Sequence, residues 1–135
     1  MNTVAHYFLL YVDSPATSAN FYSRLLDKAP VELNPTFALF ILNNGVKLGL
    51  WSRHTVQPAA QATGGGGEVG FALPDQAAVD TLHDQWLERG ATIIQSPTVV
   101  DFGYTFVAQD LDGHRLRAFC KIGRASCRER VYGEC

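Results

Sequence analysis

Apolar and aromatic residues dominate the stretch Val4 to Val12 (VAHYFLLYV), a run of strand length. Asp13-Ser14-Pro15 breaks it, with Ser14 suited to cap a helix and Pro15 to its first turn. Beyond the break, Ala16, Ala19, Phe21, Tyr22, Leu25 and Leu26 fall on one helical face. Three short strands are predicted next, at Val31–Leu33, Phe37–Leu42 and Val46–Trp51, the last two joined by the hairpin turn Asn43-Asn44-Gly45. The order then recurs. Glu68–Leu73 reads as a strand, and Pro74-Asp75 opens a helix whose apolar positions are Ala78, Val79, Leu82, Trp86 and Leu87. Gly90 ends that helix, and strands follow at Thr92–Ile94, Tyr104–Ala108 and Leu116–Lys121, with Asp112-Gly113 as a turn.

Each half therefore reads strand, helix, strand, strand, strand, and such repetition is itself a fold signal. The expected class is α+β: two βαβββ units, about residues 1–53 and 68–121, forming an open curved mixed sheet around a cleft. The polar segment 54–67, with a run of glycines from Gly64 to Gly67, reads as the linker.

The composition, 47% hydrophobic and 18% charged, suits one globular domain with a real core. A net charge of −2 without a basic face speaks against nucleic acid or anionic membranes as partners. No apolar run approaches the roughly 18 residues that span a bilayer, and no signal peptide is visible. The expected location is the cytoplasm. The string from Ile122 to Cys135 has no strand or helix period, and IGRASCRERV reads like a translated frame of a sequencing adapter. A natural disordered tail is the other reading, and neither assigns it a function. Cys127 and Cys135 fall in that tail, leaving Cys120 as the one body cysteine, a buried structural thiol in a reducing compartment.

Three segments carry a resemblance to a known family: HYFLLYVDSPATSANFYSRLL from His6, GVKLGLW from Gly45, and DLDGHRLRAF from Asp110. Together, and in this order, they resemble the vicinal-oxygen-chelate superfamily of glyoxalases, bleomycin-resistance proteins and dioxygenases. YVDSPATSANFY, APVELNPTFALF, the Trp51-Ser52 pair and DFGYTFVAQDLDGH are similar to the phenazine-antibiotic resistance proteins of that superfamily. Those bind an aromatic drug without degrading it, in pockets formed between two subunits. The resemblance implies a homodimer and a small aromatic ligand.

Enzymes of the superfamily hold a divalent metal with one side chain from each of four strands, usually histidine or glutamate. The resemblance puts these positions on His6, at or near Gly49, on Glu68 and on Arg117. Glycine offers no donor, and arginine stays protonated and does not ligate. His6 and Glu68 alone remain as weak metal candidates, so neither a metal nor another cofactor is expected. Arg117 is expected to pair with Glu68 or with a ligand anion. His6 reads otherwise as a hydrogen-bonded histidine on the cleft-facing strand. His54, His83 and His114 are scattered over linker, helix and turn, and no nucleophile–base spacing stands out, so no catalytic residue is assigned.

Trp51 is the leading candidate to stack on a flat ligand ring. Phe40, Phe37, Tyr104 and Phe106 are further wall candidates, with Ser52 and Asp101 near the mouth, whereas Trp86 belongs to the core. The reading that results is non-catalytic binding of a small planar aromatic compound, as in phenazine sequestration and resistance. A metal-dependent glyoxalase-type lyase or dioxygenase is the alternative, and a non-enzymatic domain binding another ligand or partner is the third.

Overall fold

A computed structural model describes residues 3–62 and 64–121, so the expected tail, with Cys127 and Cys135, lies outside the described residues. The elements are β1 (Tyr7–Val12), α1 (Pro15–Leu26), β2 (Glu32–Asn34), β3 (Phe37–Ile41), β4 (Lys47–Ser52), β5 (Glu68–Ala72), α2 (Gln76–Glu88), β6 (Thr92–Val100), β7 (Gly103–Gln109) and β8 (Arg115–Lys121). The chain thus comprises two βαβββ units, each with its own four-stranded mixed sheet, ordered β1-β4-β3-β2 and β5-β8-β7-β6. Two compact units are resolved: the chain up to Gly66 together with Leu111–His114, and Gly67–Asp110 together with the chain from Arg115.

In the first unit β1 pairs in parallel with β4, and β4, β3 and β2 run antiparallel. The parallel pair requires a crossover, which α1 supplies. Ser14 caps α1, its hydroxyl accepting from the Thr17 amide at 3.3 Å, and Pro15 occupies the first turn, where a missing N–H costs nothing. Phe21, Tyr22 and Leu25 form the buried face of α1 with Ala19; Ala16, assigned to that face by spacing, is exposed. The sheet alternates. Val12, Leu48, Leu50, Ala38 and Phe40 are buried, and Tyr22 of α1 meets Phe40 at 6.4 Å between ring centroids. Val56, in the segment expected to be a bare linker, is also buried.

The Asp112-Gly113 turn groups with this unit. Asp112 Oδ1 accepts from the Asp13 amide at 2.9 Å and Oδ2 from the Ser18 hydroxyl at 3.4 Å, while His114 Nε2 donates to the Tyr11 carbonyl at 2.8 Å. His114 is thus anchored to backbone rather than simply facing solvent.

The second unit repeats the plan. Asp75 caps α2, accepting from the Ala78 amide at 2.8 Å, and Gly90 follows the helix at a positive φ of 98°. Trp86 is sealed edge-to-face between Phe71 at 5.3 Å and Phe106 at 5.5 Å. Leu87, expected on the apolar face, is instead 55% exposed. Leu116, Ala118 and Cys120 of β8 are buried, and burial pushes the Cys120 thiol up from its ordinary pKa.

The largest departure from the sequence pattern is β6. The expected strand ends at Ile94, yet the strand runs on through Pro97 to Val100. Proline is tolerated there because β6 is the edge strand and Pro97 need not donate to a neighbour. Register shifts between Ile93 and Gln95, and between Gln95 and Thr98, absorb the irregularity.

Phe40 is fully buried against α1 and is therefore a core residue and not a ligand wall. Phe40→Ala is expected to lower unfolding free energy by about 3–5 kcal/mol, read as a reduced urea midpoint with an unchanged slope. A loss below about 1 kcal/mol would contradict this assignment.

Candidate functional site

In each unit, strand alternation separates a helix-facing set of side chains from an opposite set. In the second unit the opposite set includes Glu68, Gly70, Arg117, Val107 and Gln95. Gly70 pairs with Arg117, Arg117 with Val107, and Val107 with Gln95, so these lie in one row across the sheet. Arg117 Nε donates to Glu68 Oε1 at 2.7 Å and Nη2 to Glu68 Oε2 at 2.9 Å, a two-pronged ion pair. Nη1 reaches the Thr105 hydroxyl at 3.4 Å, and that hydroxyl donates to the Ala118 carbonyl at 2.8 Å. The guanidinium holds the Glu68 carboxyl below its usual range, chiefly through these hydrogen bonds, and Glu68 in turn raises Arg117. The guanidinium also lies 5.9 Å from the centroid of Phe102, which stands edge-to-face on Phe119 at 5.5 Å.

Beside this pair is a depression of about 280 Å³ lined by Glu68, Gln95, Val100, Asp101, Phe102 and Arg117. Gln95 Oε1 is buried there, and among the described residues no donor reaches it. Gln95, Val100 and Phe102 were not singled out from the sequence. Gln95 and Val100 belong to the part of β6 beyond Ile94, where the expected strand stops, and Phe102 sits in the β6–β7 turn.

In the first unit the side opposite α1 carries an aromatic row. Tyr11 pairs with Trp51 across β1 and β4, and Trp51 with Phe37 across β4 and β3. Trp51 is half-buried and meets Phe37 edge-to-face at 6.2 Å; Tyr11 is 38% exposed. Next to them, a Cβ on Gly49 would lie 2.7 Å from Leu9 Cδ2 and 2.9 Å from Phe37 Cζ, so these side chains occupy the space above the glycine. Tyr11, unremarked in the sequence, joins the row because the parallel register of β1 sets it beside Trp51.

Other expected site residues lie elsewhere. Tyr104 points to the helix side of its sheet, where its hydroxyl donates to Asp80 of α2 at 2.7 Å; that bond chiefly raises its pKa. Phe106 is fully buried on the same side, against Trp86 and His83. Ser52 is 6% exposed, and its hydroxyl accepts from the His54 amide at 3.2 Å. His6 is exposed and precedes β1, its carbonyl accepting from the Lys47 amide at 2.8 Å. Tyr7 holds the register position in β1 that Glu68 holds in β5, since each is the residue at which its parallel pairing begins. His6 is therefore one residue out of step with the row that faces away from the helix. His54 Nε2 lies 2.7 Å from Asp13 Oδ1, and with Arg53 it lowers the Asp13 pKa at an exposed position.

The half-set of a metal site offered by each unit does not fit a divalent cation. In the first unit, the space beside Gly49 is taken by Leu9 and Phe37. In the second, both Glu68 oxygens are engaged by a guanidinium that would repel the ion. Among the described residues no three His, Cys, Asp or Glu side chains converge in a geometry suited to a metal.

Against known proteins, residues 4–118 match the sequence profile of the Glyoxalase/Bleomycin resistance protein/Dioxygenase superfamily. The chain is 30% identical over 112 residues to the phenazine antibiotic resistance protein EhpR of Enterobacter agglomerans, covering 81% of this chain and 85% of that one. The solution structure of protein ATC0852 from Agrobacterium tumefaciens is 50% identical, with a TM-score of 0.83 over 90% of this chain and all 100% of that one. A glyoxalase-related enzyme from Fulvimarina pelagi, 22% identical, shares the fold with a TM-score of 0.77 over 91% of this chain and 94% of that one.

The Glu68–Arg117 pair makes a pH-dependent contribution to stability. A carboxyl whose pKa is depressed on folding stabilises above its unfolded value, and that contribution is lost as pH falls through the lower folded value. At pH 7 Glu68→Gln is expected to cost on the order of 1 kcal/mol, as suits a partly exposed two-pronged pair. The gap from the parent should close below the ordinary glutamate range. Thermal unfolding of both proteins across pH 7 to 3 checks this, and a gap that persists or widens at low pH refutes it.

Proposed function

This chain belongs to the glyoxalase/bleomycin resistance protein/dioxygenase superfamily, and from that premise we propose that it binds a small planar aromatic compound without transforming it. The observation that carries the proposal is the Tyr11–Trp51–Phe37 row on the side of the first sheet opposite its helix. Three aromatic side chains aligned across neighbouring strands form a surface on which a flat ring can stack or meet edges. The donor set supports binding over metal-assisted chemistry, because glycine and a paired arginine stand at two of the positions where superfamily enzymes place ligands. Kinship with a phenazine antibiotic resistance protein supports a phenazine-like ligand and a role in sequestering it.

The proposal includes a cytoplasmic homodimer whose ligand-binding domain is residues 1–121, with 54–67 as linker and 122–135 as a tail outside it. The buried thiol of Cys120 is in keeping with a reducing compartment, and among the described residues no helix is long and apolar enough to cross a membrane.

Phenazine-1-carboxylate and its amide are suitable probes. Each is expected to quench Trp51 emission and leave Trp86, sealed at 1% exposure, little changed. Trp51→Phe, with only Trp86 left to report, should therefore show almost no quenching. Trp51→Ala should weaken binding, measured by calorimetry, by about 1–3 kcal/mol through lost stacking and burial. The phenazine should be recovered unchanged after prolonged incubation. Undiminished affinity in Trp51→Ala would remove the aromatic row from the site, and metal-restored turnover would replace the proposal with the enzymatic alternative.

A further inference from the structure

The depression beside Arg117 combines polar groups with the apolar side chains of Val100 and Phe102. Its one cation is already matched: two of the five guanidinium N–H groups are spent on the Glu68 oxygens, and a third reaches Thr105. One N–H on each terminal nitrogen is left over. Asp101 adds a further carboxylate to the lining, and Arg115, just outside it, brings Nη1 to 4.0 Å from Glu68 Oε2, so two cations and two carboxylates balance around the depression. Gln95 contributes a buried carbonyl oxygen with no donor among the described residues, at the far end of the row that runs through Val107 to Arg117. A buried acceptor without a partner is costly, and a ligand N–H would satisfy it.

We propose that this depression is a subsite for a neutral group that both donates and accepts, a primary carboxamide, and that it discriminates against the corresponding carboxylate. The amide oxygen takes the spare Arg117 N–H groups. The amide N–H faces Gln95, and a second N–H can turn toward Asp101. The pairing survives a 180° rotation of the Gln95 side-chain amide, because two primary amides are complementary in either sense. The ring that bears the group meets the Phe102 side chain and Val100. A carboxylate offers only acceptors: it pairs with Gln95 only if that amide turns its NH₂ inward, and in either case it meets Asp101 with like charge. Proximity of Arg117 alone would suggest an acid-binding site, and the two-pronged engagement by Glu68 is what reverses that preference. The inference rests on the proposed function for the scaffold that carries the group, and not for the chemistry of the group.

The test uses the full chain, labelled with ¹⁵N, and titrates benzamide and benzoate while the Gln95 side-chain NH₂ signals are followed. Those signals are assigned by their loss in Gln95→Leu. Benzamide is expected to shift them and to bind about fivefold or more tightly than benzoate, the worth of one net hydrogen bond. Gln95→Leu, in a protein that keeps its melting temperature, should remove most of that advantage. Glu68→Gln, which leaves the Arg117 charge unmatched, should reverse the order so that benzoate binds better. Benzoate binding as tightly as benzamide in the parent, an unchanged ratio in Gln95→Leu, an unreversed order in Glu68→Gln, or no Gln95 shift with either probe would each overturn the proposal. Failure of the phenazines to quench Trp51 while benzamide still shifts Gln95 would defeat the function proposed above and leave this subsite standing.

Discussion

Each sheet in this protein has one helix packed on one of its faces, and that constraint assigns nearly every side chain its role. Successive strand residues point to opposite faces, so a residue facing the helix is committed to the core and its neighbour is free for other work. Phe40 and Trp51 illustrate the division in the first unit. Both are aromatic strand residues, but Phe40 pairs with Leu48 and packs on Tyr22, whereas Trp51 pairs with Phe37 and Tyr11 in the other row. Tyr104 and Arg117 divide in the same way in the second unit, one hydrogen-bonded to Asp80 of α2 and the other held in the opposite row by Glu68.

The two units use the same register for different chemistry. Where β1 and β4 place Tyr7 and Gly49, β5 and β8 place Glu68 and Arg117. The first unit therefore presents an apolar and aromatic surface, and the second a matched ion pair bordered by acceptors. Glycine at 49 lets Leu9 and Phe37 close over the backbone, which a larger residue would prevent without displacing them. Arginine at 117 converts what would be a donor of electron pairs into a donor of protons. Glu68, which could otherwise ligate a cation, is thereby turned into the partner that neutralises the arginine. At these two positions the chain offers no electron-pair donor to a metal.

The repeat, the two capped helices, the hairpin turns at Gly45 and Gly113 and the Glu68–Arg117 partnership were all legible in the residues themselves. Local signals determine them: Ser14 and Asp75 cap because their side chains accept nearby amides, and an arginine expected in a sheet interior demands an anion. The face of each aromatic was not legible, because a strand whose start is uncertain by one residue has an uncertain parity. Hence Phe40, Tyr104 and His6 were assigned to the wrong side or the wrong step, and Tyr11 was passed over. Gln95 escaped notice for a different reason. Pro97 stops a strand only where its missing N–H is needed, and that depends on β6 being an edge, a property of sheet order that no local pattern contains. The sequence by itself determined which elements form and which charges must meet. The tertiary structure alone decided which side of each sheet is covered, and so which residues remain to bind anything at all.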